Sequence, residues 1–460
     1  MGIYYGLTVI LVTFLGFIIQ CNAVGDNVEY LPDLPDELIA AILHQGGLEL
    51  SKKAGRSKAL IPASRMAMSN IFRDRLLFID SYMTMNRSDE SYERYDNEDY
   101  HFQFGSLDRL NSLFETFGKD ARRILINYRF MDETIRRDIN KNIINKYANY
   151  FTQLIMIAQN DSGIWEEISN EKGVVQFPNV KKFTYGCHIA DSNRTSFDLN
   201  KIFPNLESFK LFGSIKDPNC LANVTKLTEL RLRDASIEEH HLPDIFAKNK
   251  QISELSFSTK SANTLRAIAQ NLKNLQILKI RNAGSDFLIR ATNRPVYNLT
   301  SVTNFDLYVY SSSEIIENLA FDMPNLKKMV LRVVLIDPQI TNFINRFKHL
   351  ESVRIIPYDL YNVVECIEKL THAKEFTSPF LCSQISELTN FFETSKSNLK
   401  RLKLICYDEF ESHIYDETMN EINEHLKESD KPTWTVSEGI HQELLMGGED
   451  LKYLMFKRNP

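Results

Sequence analysis

The chain has 460 residues, of which 25% are charged and 43% apolar, with a formal net charge of -6. That is the balance of a globular protein too long for one hydrophobic core, so several units or a repeat array are expected. The mild acidity gives no pointer to nucleic acid through bulk electrostatics; the six cysteines hold no CxxC pair, and the odd five left if Cys21 departs with an export signal argue against a closed disulfide framework.

Met1 to Gly25 carries no charged side chain, and Leu7 to Ile19 is an apolar run of export-signal length. Cys21 and Ala23 stand at the small-residue positions before a cut at Val24, so residues 1–23 read as a cleaved signal peptide. An uncleaved anchor is the rival, although Thr8, Thr13, Gln20 and Asn22 interrupt the run. A misassigned start codon is a third reading.

Next comes "LPDLPDELIAAIL". Pro35 followed by Asp36 and Glu37 suits a helix start, and Leu38, Ile42 and Leu43 are read as one apolar stripe. His44 to Ser57 reads as a long basic loop, and Leu60 to Leu77 as a second helix, which closes a helical domain over residues 29–78. Its stripe could simply pack on the repeats that follow. Residues 79–120 read as a linker, tyrosine-rich and charged between Asp80 and Gly105, with a helical lead-in.

From Val180 one pattern recurs: apolar, two variable residues, apolar, one variable, apolar. It is seen in "LESFKL", "LTELRL", "LQILKI" and "LKRLKL". Ten copies start 21 to 27 residues apart, about 24 on average, the spacing of leucine-rich repeats. Many follow "FPN", "MPN", "KN" or "SN", and two degenerate copies precede them, at "ARRILI" and "FTQLIM". Each copy reads as a strand and each linker as a helix. In "DPQITNFINRFKH", for instance, Ile340, Phe343, Ile344 and Phe347 make one helical stripe. Residues 121–407 are therefore expected to form an α/β leucine-rich-repeat solenoid, a horseshoe with strands on the concave side. Residues 408–460 read as its cap, a helix and two short strands.

The variable strand positions should face the concave side. Over the ten copies they hold eleven Lys or Arg against four acids. Lys210, Arg231, Arg233, Lys279, Arg281, Arg332 and Arg354, with Phe212 and Tyr308 as apolar anchors, are the candidate binding residues. Solvated strands also tolerate charge of either sign, so a merely soluble face is the competing reading. The functional reading calls for a partner with an acidic surface or a phosphate-bearing small molecule. No phosphate loop, HExxH or GxSxG is present. His240 and His241 are adjacent and expected to point apart, so no catalytic site, metal or cofactor is expected.

"LPDELIAAIL", a second helical stretch and then leucine-rich repeats together resemble an F-box protein of the leucine-rich-repeat type. With the export signal, the combination resembles the salivary effectors of plant-feeding gall midges. The resemblance implies that a small helical F-box-like domain precedes the solenoid. It also implies that Leu34, Pro35, Leu38, Ile42 and Leu43 dock a Skp1-type adaptor and through it a cullin, with the repeats holding a protein target for ubiquitin transfer. The chain itself would be non-catalytic, bind neither nucleic acid nor, once the signal is removed, membrane, and be secreted to act in a host cytoplasm. An extracellular leucine-rich-repeat binding protein and an ordinary intracellular F-box protein are the alternatives.

Overall fold

A computed structural model of the chain describes residues 35–55, 60–80, 100–103, 107–129, 131–160, 164–170, 173–189, 198–213, 218–221, 223–233, 239–258, 262–281, 297–309, 321–358, 362–381, 388, 391–392, 398–406, 424, 434–442 and 450–458. Residues 1–23, expected to be a signal peptide, and Leu34 lie outside them, as does most of the acidic stretch expected to give the cap its helix. The chain divides into two units near Leu206.

The first unit opens with α1 (Asp36–Ala54), whose first turn holds Asp36 and Glu37 and whose Leu38 and Ile39 amides donate to the Pro35 carbonyl. The carboxylates complement the exposed amides at the helix start. The expected basic loop is instead a continuation of this helix, through Gly46 and Gly47. Two glycines in a helix interior cost roughly 1 kcal/mol each against alanine, so tertiary contacts must hold this part of the helix. Its partner is α2 (Ile61–Asp74), which buries Ala63, Ser64, Ala67, Met68, Ile71 and Phe72. Ser64 Oγ donates to the Ser51 carbonyl at 2.7 Å, tying the two helices together, and within α1 Ser51 Oγ donates to the Leu43 carbonyl at 3.2 Å.

The second helix stops earlier than expected. Leu76–Asp80 is a strand, β1, in which Leu76, Leu77, Phe78 and Ile79 are all buried. Side chains buried on both faces suit a strand inside a covered parallel sheet. The expected linker also contributes a strand, β2 (Tyr100–Gln103), before α3 (Leu107–Phe117). The two degenerate repeats are strands β3 (Arg123–Asn127) and β4 (Gln153–Asn160), and β7 (Lys182–Ile189) follows; β5 (Ser169–Asn170) and β6 (Gly173–Val174) pair apart as a small antiparallel sheet. In the main sheet β2, β1, β3, β4 and β7 pair in that order, all parallel.

Between β3 and β4, α4 (Glu133–Ile139) is capped by the Asp132 carboxylate and runs into a π-helical turn, Asn140–Asn145. Here Arg136 forks onto Glu167 of the short helix α5 (Ile164–Glu167), with Asn140 Nδ2 completing the carboxylate's hydrogen bonds at 2.9 Å. Gly118 is required at the end of α3, because a Cβ there would sit 2.5 Å from the Phe114 carbonyl and 2.6 Å from the Tyr147 ring.

The second unit is an α/β solenoid. Its strands are β8 (Ser208–Gly213), β9 (Glu229–Arg233), β10 (Glu254–Ser258), β11 (Ile277–Arg281), β13 (Asn304–Tyr308), β15 (Lys328–Val333), β16 (Ser352–Pro357), β17 (Glu375–Phe380) and β18 (Arg401–Cys406). They pair in parallel, each with the next. Between β11 and β15 the pieces β12 (Tyr297–Asn298) and β14 (Phe321–Asp322) form a separate parallel pair.

Apolar strand positions such as Leu255, Leu278, Phe305, Met329 and Val353 are buried. Connecting helices α7 (Leu242–Lys248), α8 (Ala262–Asn271), α9 (Pro338–Asn345) and α10 (Val363–Lys369) bury Phe246, Ile268, Phe343 and Ile367 in turn (α6 being Leu199–Ile202 of the first unit). Full burial of each such side chain contributes roughly 1.5–3 kcal/mol.

The "PN" and "SN" residues in front of the strands have a definite role. Asn205 Nδ2 donates to the Pro178 carbonyl of the repeat before it, and Asn179 to that of Asn149. In the second unit Gln251 donates to Thr225, Asn325 to Thr300 and Asn398 to Thr371. Each side chain thus satisfies a carbonyl left over where one repeat turns into its strand.

The cap is larger than expected. β19 (Trp434–Gln442) and β20 (Asp450–Arg458) form an antiparallel pair of nine-residue strands, with β20 also antiparallel to β18. Trp434 is buried against Phe391 and Phe392, and the Phe392 ring lies tilted against Phe456 with centroids 4.8 Å apart, closing the last repeat's core.

Candidate functional site

Because strand side chains alternate, one face of the second unit's sheet is covered and the other open. On the open face parallel register aligns residues in rows. Lys210 pairs with Arg231, and Arg231 with Ser256. Lys279 follows Ser256 and precedes Asp306, and the row runs on through Val330, Arg354, Thr377 and Lys403. A neighbouring row aligns Tyr308 with Arg332 and Arg332 with Ile356. Lys210, Phe212, Arg231, Lys279, Arg281, Tyr308, Arg332 and Arg354 are each half-buried. Arg233 ends β9, opposite Phe212.

Charge is organised differently along the face. From β8 to β11 it forms a ladder. Glu229 lies 3.6 Å from Lys210 Nζ and 2.6 Å from Arg231 Nε, and accepts from Ser208 Oγ at 2.5 Å. Glu254 receives Arg231 at 2.8 Å and Lys279 at 3.1 Å. Two carboxylates thus interleave with three cations.

From β13 onward the cations crowd one another. Asp306 stands 4.0 Å from Arg332. Burial and the neighbouring Arg332 push the Arg354 guanidinium down to about 10, against a smaller opposing pull from Asp306. Burial, then the Arg354 charge, also lowers the Lys403 ammonium below its ordinary value. Lys403 Nζ lies 3.8 Å above the Tyr453 ring, a cation–π contact. Tyr308 and Tyr358 touch through their hydroxyls at 2.5 Å. Beside these, Val334, Leu335 and Tyr358 are 38%, 44% and 55% exposed, unusual for large apolar side chains in this molecule.

Three of these residues were not singled out from the sequence. Lys403 fell among the eleven cations. Tyr358 lies just past its strand, and Tyr453 comes from the cap hairpin. Only register, which places Tyr453 opposite Ile405 on β18, brings it to the face.

At the helical pair the expected stripe splits. Pro35 and Leu38 are exposed, Leu38 by 47%, whereas Leu43 is fully buried with Ile39 and Ala40. Leu43 is therefore a core residue and not an adaptor contact. Five positions along a helix rotate a side chain by about 140°, so Leu38 and Leu43 cannot share a face, while Ile39 and Leu43 do. Ile42 belongs to the same helix. Met66 of α2 is also exposed, by 37%.

His240 and His241 do not point apart. They lie in a 3-10 turn before α7, with ring centroids 3.9 Å from each other, because a tight turn gathers side chains that a strand would send to opposite faces. Among the described residues no three His, Cys, Asp or Glu side chains gather to hold a metal ion. Cys220 and Cys366 are buried, and burial raises the Cys366 thiol to about 11. No helix among the described residues is long and apolar enough to cross a membrane.

No protein-family model matches the sequence, and no curated protein does. Among solved structures the chain is similar to the crystal structure of a TLR13–ssRNA13 complex, with 11% identity and a TM-score of 0.30. The match covers 65% of this chain and 59% of that one.

Proposed function

We propose that the protein is a non-catalytic binding adaptor of the leucine-rich-repeat type, whose open sheet face takes up a target protein and whose helical pair docks a Skp1-type subunit of a cullin ubiquitin ligase. The observation that carries this reading is Leu38, 47% exposed at the start of a helix in which Ile39, Ala40 and Leu43 are buried. With the exposed Pro35 beside it, it offers an apolar contact at the helix end. The buried free thiol of Cys366 accords with work in a reducing cytosol. In this reading the apolar segment at residues 1–23 exports the chain to another organism's cytoplasm.

The test is co-purification of residues 26–460 with a Skp1 protein. Leu38→Glu should weaken that complex by about tenfold or more, since it removes an apolar anchor, and leave the fold intact. Leu43→Ala should instead destabilise the helical pair by about 2–5 kcal/mol. Failure of the wild-type chain to bind any Skp1 protein sinks the adaptor reading and favours a free-standing binding protein.

A further inference from the structure

Five Asn-x-Ser/Thr triplets stand in the sequence, at Asn86, Asn160, Asn193, Asn223 and Asn298. That number is close to chance for a chain with so much Asn, Ser and Thr, so the position of each must decide between them. Asn86 and Asn193 lie outside the described residues, as does Ser162 of the Asn160 triplet. Asn223 is exposed but is already held by an interaction within the chain. The triplet Asn298-Leu299-Thr300 is described whole, and its outer two residues are exposed while Leu299 between them is buried.

The backbone of this triplet is firmly held. The Leu299 amide donates to the Asp322 carbonyl at 2.8 Å, continuing the pairing of β12 with β14, and the Thr300 carbonyl accepts from Asn325 Nδ2 at 2.7 Å. With Leu299 fixed inward, Asn298 and Thr300 are both left on the solvent side. The place is also set apart from the open face. β12 and β14 form a sheet separate from the main one, and Arg266 Nε of the connecting helix α8 donates to the Tyr297 hydroxyl at 3.3 Å. A bulky polar group on Asn298 therefore enters solvent beside the connecting helices and displaces neither the core nor the open-face rows.

We propose that Asn298 is an N-glycosylation site of the exported chain, with a lipid-diphosphate-linked oligosaccharide as the donor. In the transfer, Asn298 Nδ2 forms a bond to C1 of the first sugar, and the bond from C1 to the lipid diphosphate breaks. The lipid diphosphate leaves with the bonding pair, and Nδ2 gives up one proton. The hydroxyl two residues on, here that of Thr300, is the part of the motif that makes the amide an acceptor. This site rests on the export part of the reading above and does not depend on Skp1.

The test expresses the full chain in insect cells in two forms. One keeps its own residues 1–23, and the other has them replaced by the signal peptide of a known secreted protein. Protein from the medium and the secretory membranes is treated with a peptide-N-glycosidase, which turns a glycosylated Asn into Asp, and residue 298 is read by mass spectrometry. It should read as Asp in both forms. Asn298→Gln should lose one step of the glycosidase-sensitive shift in gel mobility. Thr300→Ala should leave residue 298 as Asn, whereas Thr300→Ser should keep the modification, because a serine hydroxyl serves in the same place. Thr300→Ala retains the backbone carbonyl that accepts from Asn325, so it separates loss of the acceptor from loss of the fold.

An unmodified residue 298 in the form with the replaced signal overturns the site. So does modification that persists in Thr300→Ala, or a mobility shift unchanged in Asn298→Gln and carried by another triplet such as Asn223. Modification in that form and none in the chain with its own residues 1–23 defeats the export reading alone and leaves the acceptor assignment standing. Skp1 co-purification from the same preparations reports on the adaptor separately.

Discussion

The two halves of the second unit's open face share one scaffold and differ in how they settle charge. From β8 to β11, Glu229 and Glu254 sit between Lys210, Arg231 and Lys279, and each carboxylate touches two of those cations. From β13 to β18, burial and then Arg332 disfavour the Arg354 charge, and burial and then Arg354 disfavour that of Lys403. The inward sides are alike, with buried Leu255 and Leu278 in one half and Leu331 and Ile355 in the other. A parallel solenoid therefore leaves its open face free to vary from repeat to repeat. One stretch can be spent on internal cohesion and another kept under charge strain without altering the fold.

The largest expected effect comes from making the first half resemble the second. Glu229→Ala removes the contacts to Lys210 and Arg231 and the hydrogen bond from Ser208, leaving half-buried cations next to each other. Urea denaturation should show a loss of about 2 kcal/mol, the usual scale for a hydrogen bond to a charged group. The variant should also be stabilised by added salt more than the wild type is, since salt screens the new repulsion. An unchanged unfolding midpoint would mean that the ladder is only a solvated decoration.

The converse change in the second half should be nearly free. Arg354→Met keeps the side chain's apolar length and removes a charge that burial and Arg332 both disfavour. Stability should stay within about 1 kcal/mol of wild type, on the stable side. The same variant should raise the pKa of Lys403, read by NMR titration of its side chain, because one cause of its depression is the Arg354 charge. The sign follows from linkage. A lysine whose folded pKa lies below its unfolded one costs stability while both states are charged, and that cost fades as pH rises through the folded value. In Arg354→Met the cost shrinks and the window moves upward. If Lys403 does not move, burial alone sets its value and the two cations are not coupled.

Much of this was legible in the sequence because each repeat announces itself. LxxLxL with a 24-residue spacing fixes which strand residues turn inward, and so placed Lys210, Arg231, Lys279, Arg332 and Arg354 on a common face. The division of that face into ladder and cluster was not legible. It depends on which acid lies opposite which base, and register decides that: Glu229 is beside both Lys210 and Arg231 because β8 and β9 align Ser208 with Glu229. Tyr453 was hidden for a similar reason, since an antiparallel return through the cap brings it to β18. The strand "LLFID" was read as a helix end because a short apolar run next to a helix has no period of its own. Leu43 was grouped with Leu38 through a five-residue step that no helix face contains.

The smallest effect tests the claim that the scaffold is common to both halves. Gln251 bridges to Thr225 under the ladder, and Asn325 and Asn398 bridge to Thr300 and Thr371 under the cluster, at 3.0, 2.7 and 2.6 Å. All three side chains join one repeat's backbone to the next and none points at the open face. Replacing each by alanine should therefore cost about 0.5–1.5 kcal/mol, the net value of a partly solvated hydrogen bond, and about the same in both halves. A markedly larger cost at Asn325 or Asn398 than at Gln251, measured by urea denaturation, would show that the charged half leans on its scaffold more heavily. The open face and the repeat backbone would then be coupled, and charge could not be varied along the face independently of the fold.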